Sequence, residues 1–257
     1  MLQLKSKTAK VLYAIIAGII IHYIWRNTST VIDYLEISRT SALGQTIRAL
    51  LLTLAVFLFT AIAINPKEIL TFLGLDNNII KGFGIAIICV LPLYIIFPIF
   101  GGFASDISAF RIYHKCIIAG FTEELVCRAF MFGLLLRYAK TGFLWAVLLP
   151  ALYFGSLHLY QGHDMVSSLF AFGVTFIGAL YFSWMYAEWN FNLWVPIGLH
   201  IFMNLAWFIF TMEGTENAAG GLISNIARII SILLAVGLTV WYKRKTETRV
   251  FSYPVWR

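Results

Sequence analysis

The sequence predicts an all-α protein: a polytopic integral membrane helical bundle with about eight transmembrane helices, forming a single membrane domain over residues 1–257. Three observations predict it. Apolar residues make up 60% of the chain and charged residues only 12%, against roughly 45–50% and about 25% in soluble domains. The apolar residues gather in eight runs, most of them close to the roughly 17–25 residues that cross ~30 Å of hydrocarbon. No segment alternates in the ten-residue pattern of a membrane barrel, and a backbone in lipid must satisfy its own hydrogen bonds, which leaves helices. With a mean hydropathy of +0.83, a soluble globular enzyme, a disordered chain and a disulfide-rich secreted module are all excluded. The net charge of +7 reads as membrane topology and not as a nucleic-acid footprint, because the basic residues sit mostly in short loops and tails.

The first run, Val11 to Trp25, follows Lys5, Lys7 and Lys10 and ends in Tyr23, Ile24, Trp25 and Arg26. No small-residue cleavage site is present, so it reads as an uncleaved first span and not as a signal peptide. The other seven runs cover approximately 49–64, 82–100, 115–136, 142–160, 165–187, 193–210 and 221–242. Between the second and third runs, Ile69, Leu70, Phe72, Leu73 and Leu75 predict a short interfacial helix ended by Gly74 and Asp76. Gly173 and Gly178 are expected to permit close helix packing. Trp184, Tyr186 and Trp189 are expected in an interfacial aromatic belt. Cys89, Cys116 and Cys127 have no CxxC spacing and read as small buried residues, not as a disulfide framework or a zinc site. His22 and His114 read as packed residues, and His163 and Asp164 as solvated loop residues. Arg228 reads as a snorkelling side chain or the mark of a late helix start.

Charge bias sets the orientation. With both termini cytoplasmic, the inner segments hold Lys5, Lys7, Lys10, Lys67, Lys81, Arg137, Lys140, Lys243, Arg244, Lys245, Arg249 and Arg257, twelve in all. The outer segments hold five: Arg26, Arg39, Arg48, Arg111 and Lys115. The loops around His163–Asp164 and Glu213–Glu216 hold no Lys or Arg and fall outside. This is the positive-inside pattern, and for a bacterial chain it places the protein in the plasma membrane.

Charges within spans cost at least ~2.5–3.5 kcal/mol each on insertion scales, so they mark function. The fourth run places Glu123, Glu124 and Arg128 in one apolar helix. Glu124 and Arg128, at i and i+4, share a face and can pair. Glu123 points about 100° away and is left without a local cation, as suits a general base. Phe154 and His158 share a face at the end of the fifth run, and His200 and Asn204 share one on the seventh. Glu123, His158, His200 and Asn204 are expected to converge on one hydrated cavity equipped to activate water and to stabilise an oxyanion.

The order Glu-Glu-x-x-x-Arg (Glu123, Glu124, Arg128), Phe-x-x-x-His (Phe154, His158) and His-x-x-x-Asn (His200, Asn204) resembles the CPBP family, the CAAX prenyl protease and bacteriocin-processing membrane proteins also called Abi proteins. The resemblance covers about 115–210. It implies an eight-helix intramembrane endopeptidase acting on a lipidated or membrane-associated peptide or protein. Glu123 and His158 would activate water, His200 and Asn204 would stabilise the oxyanion, and Glu124, Arg128 and Phe154 would support the site. A metal-free site is favoured, since no His-Glu-x-x-His helix is present. Zinc is the alternative, with Glu123, His158 and His200 as ligands. The rival readings are a transporter or channel, against which no inverted repeat is found, and a non-catalytic membrane scaffold.

Overall fold

The computed structural model describes residues 4–212 and 219–255. The Glu213–Glu216 loop and Arg257, both part of the charge count, lie outside the described residues. All eight apolar runs are helical. Helix α1 spans Lys7–Tyr34, continuing well past Trp25. Helix α2 spans Ala42–Ala63, and the short α3 spans Ile69–Leu73 behind a 3-10 turn at Pro66–Glu68. Helix α4 spans Ile79–Phe100. Helix α5 runs through residues 109–138, and α6 spans Phe143–Ser156. Helices α7, α8 and α9 span Met165–Glu188, Trp194–Ile209 and Leu222–Lys245.

Six helical segments have the length and hydropathy to cross a membrane, and the chain is an integral multi-pass membrane protein. Two of the eight predicted spans fall outside those six. With 16 residues, α8 reaches only about 24 Å at the α-helical rise, short of the ~30 Å hydrocarbon core. Helix α5 is not uniformly α-helical: Tyr113–Ile118, Leu125–Phe132 and Leu134–Tyr138 are wound as π-helix. One small departure from all-helix is a two-residue ladder, Gly102–Phe103 against Phe210–Thr211, which ties the ends of α4 and α8.

The surface is that of a lipid-solvated protein. Leu50, Leu54 and Leu58 form an exposed stripe on α2 at i, i+4 spacing, and Leu12, Ile16 and Ile19 expose α1 likewise. Exposed apolar surface on that scale belongs against another apolar phase. Helix α4 packs on α8 and α9, α6 on α7, and α1 on α2.

Several sequence expectations change. No atom lies within 4 Å of a Cβ built on Gly173 or Gly178, so neither sits at a tight helix crossing. Tyr186 and Trp189 are buried and not in a belt: the Tyr186 hydroxyl donates to the Leu73 carbonyl at 3.2 Å, and Trp189 Nε1 donates to Thr239 Oγ1 at 3.1 Å. Packing against α3 and α9 satisfies their polar tips, so they need no headgroup water. Asp164 is exposed, as expected, and it also caps the start of α7, accepting from Ser167 N at 2.7 Å. Arg228 donates to Asn225 Oδ1 at 2.7 Å and lies over the Trp207 ring. The three cysteines are free and buried. As expected, α3 ends at Gly74, whose φ is +75°. A Cβ there would fall 1.9 Å from the Phe191 carbonyl oxygen, so only glycine fits this left-handed cap.

An ion pair that sequence reading missed ties the tail down. Glu188 Oε2 lies 3.4 Å from Lys243 Nζ, with both residues buried. Glu188 Oε1 accepts from Phe251 N at 2.9 Å and from the Tyr253 hydroxyl at 2.7 Å. The tail then caps α6, its Pro254 carbonyl accepting from Phe143 N at 2.8 Å. A hydrogen bond to a charged group contributes about 1.5–3 kcal/mol. Tyr253→Phe is therefore expected to destabilise the protein by about that amount, measured by thermal unfolding in detergent. An unchanged Tm would mean that the Glu188 anchor contributes nothing.

Candidate active site

The site is built where α5 meets α8. Glu123 and Glu124 close an α-wound turn, Ala119–Glu124, between two π-wound stretches. Such local widening recurs at functional positions of helices. One turn earlier, a Cβ on Gly120 would come 2.7 Å from Ile201 Cγ1. The glycine hydrogen lets α5 lie directly on α8, and the residue before Ile201 is His200. Adjacent residues on a helix diverge by about 100°, so the two carboxylates face different surroundings. The Glu124 side chain is fully buried, whereas that of Glu123 keeps 21% exposure.

Glu124 Oε1 is the hub. It accepts from Arg128 Nη1 at 3.0 Å, as the i, i+4 spacing predicts, and lies 2.7 Å from His200 Nδ1. The Arg128 guanidinium lies over the rings of Phe154 and Phe182, with its carbon 4.7 and 5.2 Å from their centroids. Apolar walls and a desolvated ion pair together make this a high-stakes polar core, costly to leave half-satisfied. His200 Nε2 points to the second carboxylate, 3.8 Å from Glu123 Oε2. Glu123 is thus not wholly without a basic neighbour, as sequence reasoning held.

His158 stands just past the end of α6, its ring 4.7 Å from that of Phe154. Its Nδ1 bonds the Phe154 carbonyl oxygen at 2.8 Å. A carbonyl can only accept, so Nδ1 carries the hydrogen and the neutral ring offers Nε2 as an acceptor. Asn204 turns toward the α5 backbone, donating Nδ2 to the Lys115 carbonyl at 2.8 Å.

Glu123 also lines a cavity of about 80 Å³ between α1, α2 and α5, together with Trp25, Thr28, Gln45, Arg48, His114 and Thr122. A water needs about 10–15 Å³ of such volume, so several fit. Of the four residues expected to share one hydrated cavity, only Glu123 lines it. Asn204 bonds the Lys115 carbonyl and His158 the Phe154 carbonyl, and neither lines the cavity. Arg48 and His114 were read from sequence as an outer-segment charge and a packed residue. Their convergence depends on how α2 crosses α5, which no local spacing encodes. Arg48 Nε donates to Thr28 Oγ1 at 3.2 Å.

A zinc site needs three or four ligands in tetrahedral array at about 2.0–2.2 Å for nitrogen and oxygen. Among the described residues no group of three His, Cys, Asp or Glu side chains is placed to hold a metal ion. Glu123, His158 and His200, the alternative ligand set, do not fit one as they stand.

Residues 105–206 match the family described as Type II CAAX prenyl endopeptidase Rce1-like. The three motifs lie inside the matched segment. Over 101 residues the chain is 33% identical to "Putative membrane peptidase YdiL" of Bacillus subtilis (strain 168), covering 39% of this chain and 37% of that protein. The chain thus matches little more than a third of its relative's length. No solved structure matches. The matched segment contains all seven motif residues, and six of them form one run of contacts from Glu123 through His200, Glu124, Arg128 and Phe154 to His158.

Proposed function

We propose that this protein is a CAAX-protease-like endopeptidase that hydrolyses a peptide bond of a membrane-associated or lipidated peptide or protein. One observation carries the reading: Glu123, beside His200 Nε2, opens onto a cavity with room for water. The neighbouring carboxylate is already committed to Arg128 and His200, so the two glutamates divide the work. Glu123 is the base and Glu124 the positioning residue.

In this scheme Glu123 takes a proton from a water, whose oxygen attacks the scissile carbonyl carbon. His158 Nε2 accepts a hydrogen bond from that water and orients it. The C–N bond then breaks, and the proton held by Glu123 passes to the leaving amine. The products are a carboxylic acid and an amine, with no acyl-enzyme. His200, doubly protonated in this scheme with Nδ1–H on Glu124, donates Nε2–H to the oxyanion as charge develops there, and Asn204 donates beside it. Substrate entry brings His158 and Asn204 to the reacting centre, because catalytic hydrogen bonds often tighten only in the bound complex. The proposed chemistry runs on protein groups alone.

The test is single-turnover cleavage of a membrane-anchored peptide by the purified chain in nanodiscs, with and without chelator. Wild type is expected to retain its rate under chelation. Removing one oxyanion donor typically costs ~10²–10³ in rate, so Asn204→Ala is expected to be slowed by that factor yet remain active. Activity lost on chelation and restored by zinc would overturn the metal-free scheme. An unslowed Asn204→Ala would remove that residue from it.

A further inference from the structure

A second cavity lies at the end of the bundle where the first turns of α1 meet the ends of α2 and α5. Its volume is about 410 Å³, and it is lined by Lys10, Ile64, Glu68, Thr71, Phe72, Arg137, Tyr138 and Lys140. Three of these are cations and one is a carboxylate. Among the described residues, none of the three cations is within ion-pair distance of an acidic group. Arg137 is the fixed member. Its guanidinium lies 4.8 Å from the Phe72 ring centroid and 4.5 Å from that of Phe191, and it donates to the Phe72 carbonyl. Lys10 Nζ sits 4.8 Å above the Tyr138 ring. Lys140 is held in the left-handed turn after α5, at φ 54°.

Position selects among anions. The pocket lies at the ends of α1 and α2, two of the helices long and apolar enough to cross a membrane, which puts it at headgroup depth. Leu70 and Ile62, next in the chain to pocket residues or one removed, are exposed apolar side chains. Basic pockets at the ends of membrane helices attract acidic headgroups, and three cations opposed by one carboxylate leave an excess of positive charge for a phosphodiester. We propose that this pocket binds the phosphate of an acidic phospholipid from the adjoining leaflet, held by Lys10, Arg137 and Lys140, with its glycerol and chains over Ile64 and Leu70. The site is remote from Glu123, and the proposal stands whether or not the chain cleaves peptides.

Native mass spectrometry of the delipidated full chain in detergent, titrated with phosphatidylglycerol, phosphatidylcholine or inorganic phosphate, tests it. Phosphatidylglycerol is expected to bind more tightly than phosphatidylcholine. Each lysine near such a surface is worth about fivefold in affinity. Lys10→Ala with Lys140→Ala should therefore weaken phosphatidylglycerol binding roughly 25-fold, while Arg39→Ala, paired with Asp33 at the opposite end of α1 from Lys10, leaves it unchanged. Glu68→Gln carries the opposite sign: removing the one opposing carboxylate should tighten binding, and this arm decides the matter if the double variant folds poorly. Equal binding of the two lipids, a Glu68→Gln affinity at or below wild type, or a well-folded double variant that still binds like wild type would overturn the proposal. Displacement of the lipid by equimolar inorganic phosphate would assign the pocket to a soluble phosphate instead.

Discussion

Glu123→Gln is expected to lower single-turnover cleavage by ~10²–10⁴, the usual contribution of a positioned general base, while the protein folds and unfolds like wild type. Both halves follow from the same geometry. The Glu123 side chain is partly exposed to the cavity and makes one long contact, 3.8 Å to His200 Nε2. A glutamine of the same shape keeps the packing and can bridge a water, but it cannot take the proton. The measurement is product formation with enzyme in excess over a membrane-anchored peptide, alongside a thermal melt of the same preparation. A well-folded Glu123→Gln with full activity would refute the glutamate-base scheme. An equal loss caused by unfolding would show that Glu123 is structural. The transporter reading predicts a different outcome, in which the substitution abolishes ion or solute flux in proteoliposomes and no peptide is cut by wild type.

Local spacing carried a good part of this architecture. Eight apolar runs became eight helical segments because a chain in lipid has few other ways to satisfy its backbone. The short α3 was legible because Gly74 must adopt a left-handed cap, and Glu124–Arg128 because i, i+4 neighbours share a face. What was hidden depends on how helices cross. The sequence did not show that His200 is held through Nδ1 by Glu124, 76 positions away. That pairing exists because Gly120 lets α5 sit down on Ile201. Arg48 and His114 reach the Glu123 cavity from two different helices. Lys243 was counted only as an inner-segment charge, and only the fold shows it buried and paired with Glu188. Gly173 and Gly178 failed for the converse reason: a small residue allows close approach but does not compel it.

Glu124→Gln should fail by a different route from Glu123→Gln, through the fold itself. Glu124 is fully buried and Arg128 is 1% exposed, so the guanidinium has no water to fall back on. One carboxylate oxygen serves both Arg128, at 3.0 Å, and His200, at 2.7 Å. A neutral amide leaves Arg128 as an uncompensated charge against Phe154 and Phe182. Breaking a buried pair from one side costs about 3–5 kcal/mol, a large share of the roughly 5–15 kcal/mol that holds a typical domain together. Low yield, a lowered Tm and loss of activity in proportion to loss of folded protein are the expected results. The double variant Glu124→Gln with Arg128→Met separates stability from chemistry. Removing the stranded charge should restore much of the Tm, because well-packed apolar replacements of buried ion pairs are often neutral or stabilising. Activity should stay low, because His200 has lost the carboxylate that holds its Nδ1. A single Glu124→Gln variant with wild-type Tm would mean that Arg128 needs no buried counter-charge. A double variant with restored activity would mean that Glu124 only neutralises Arg128 and does not position His200.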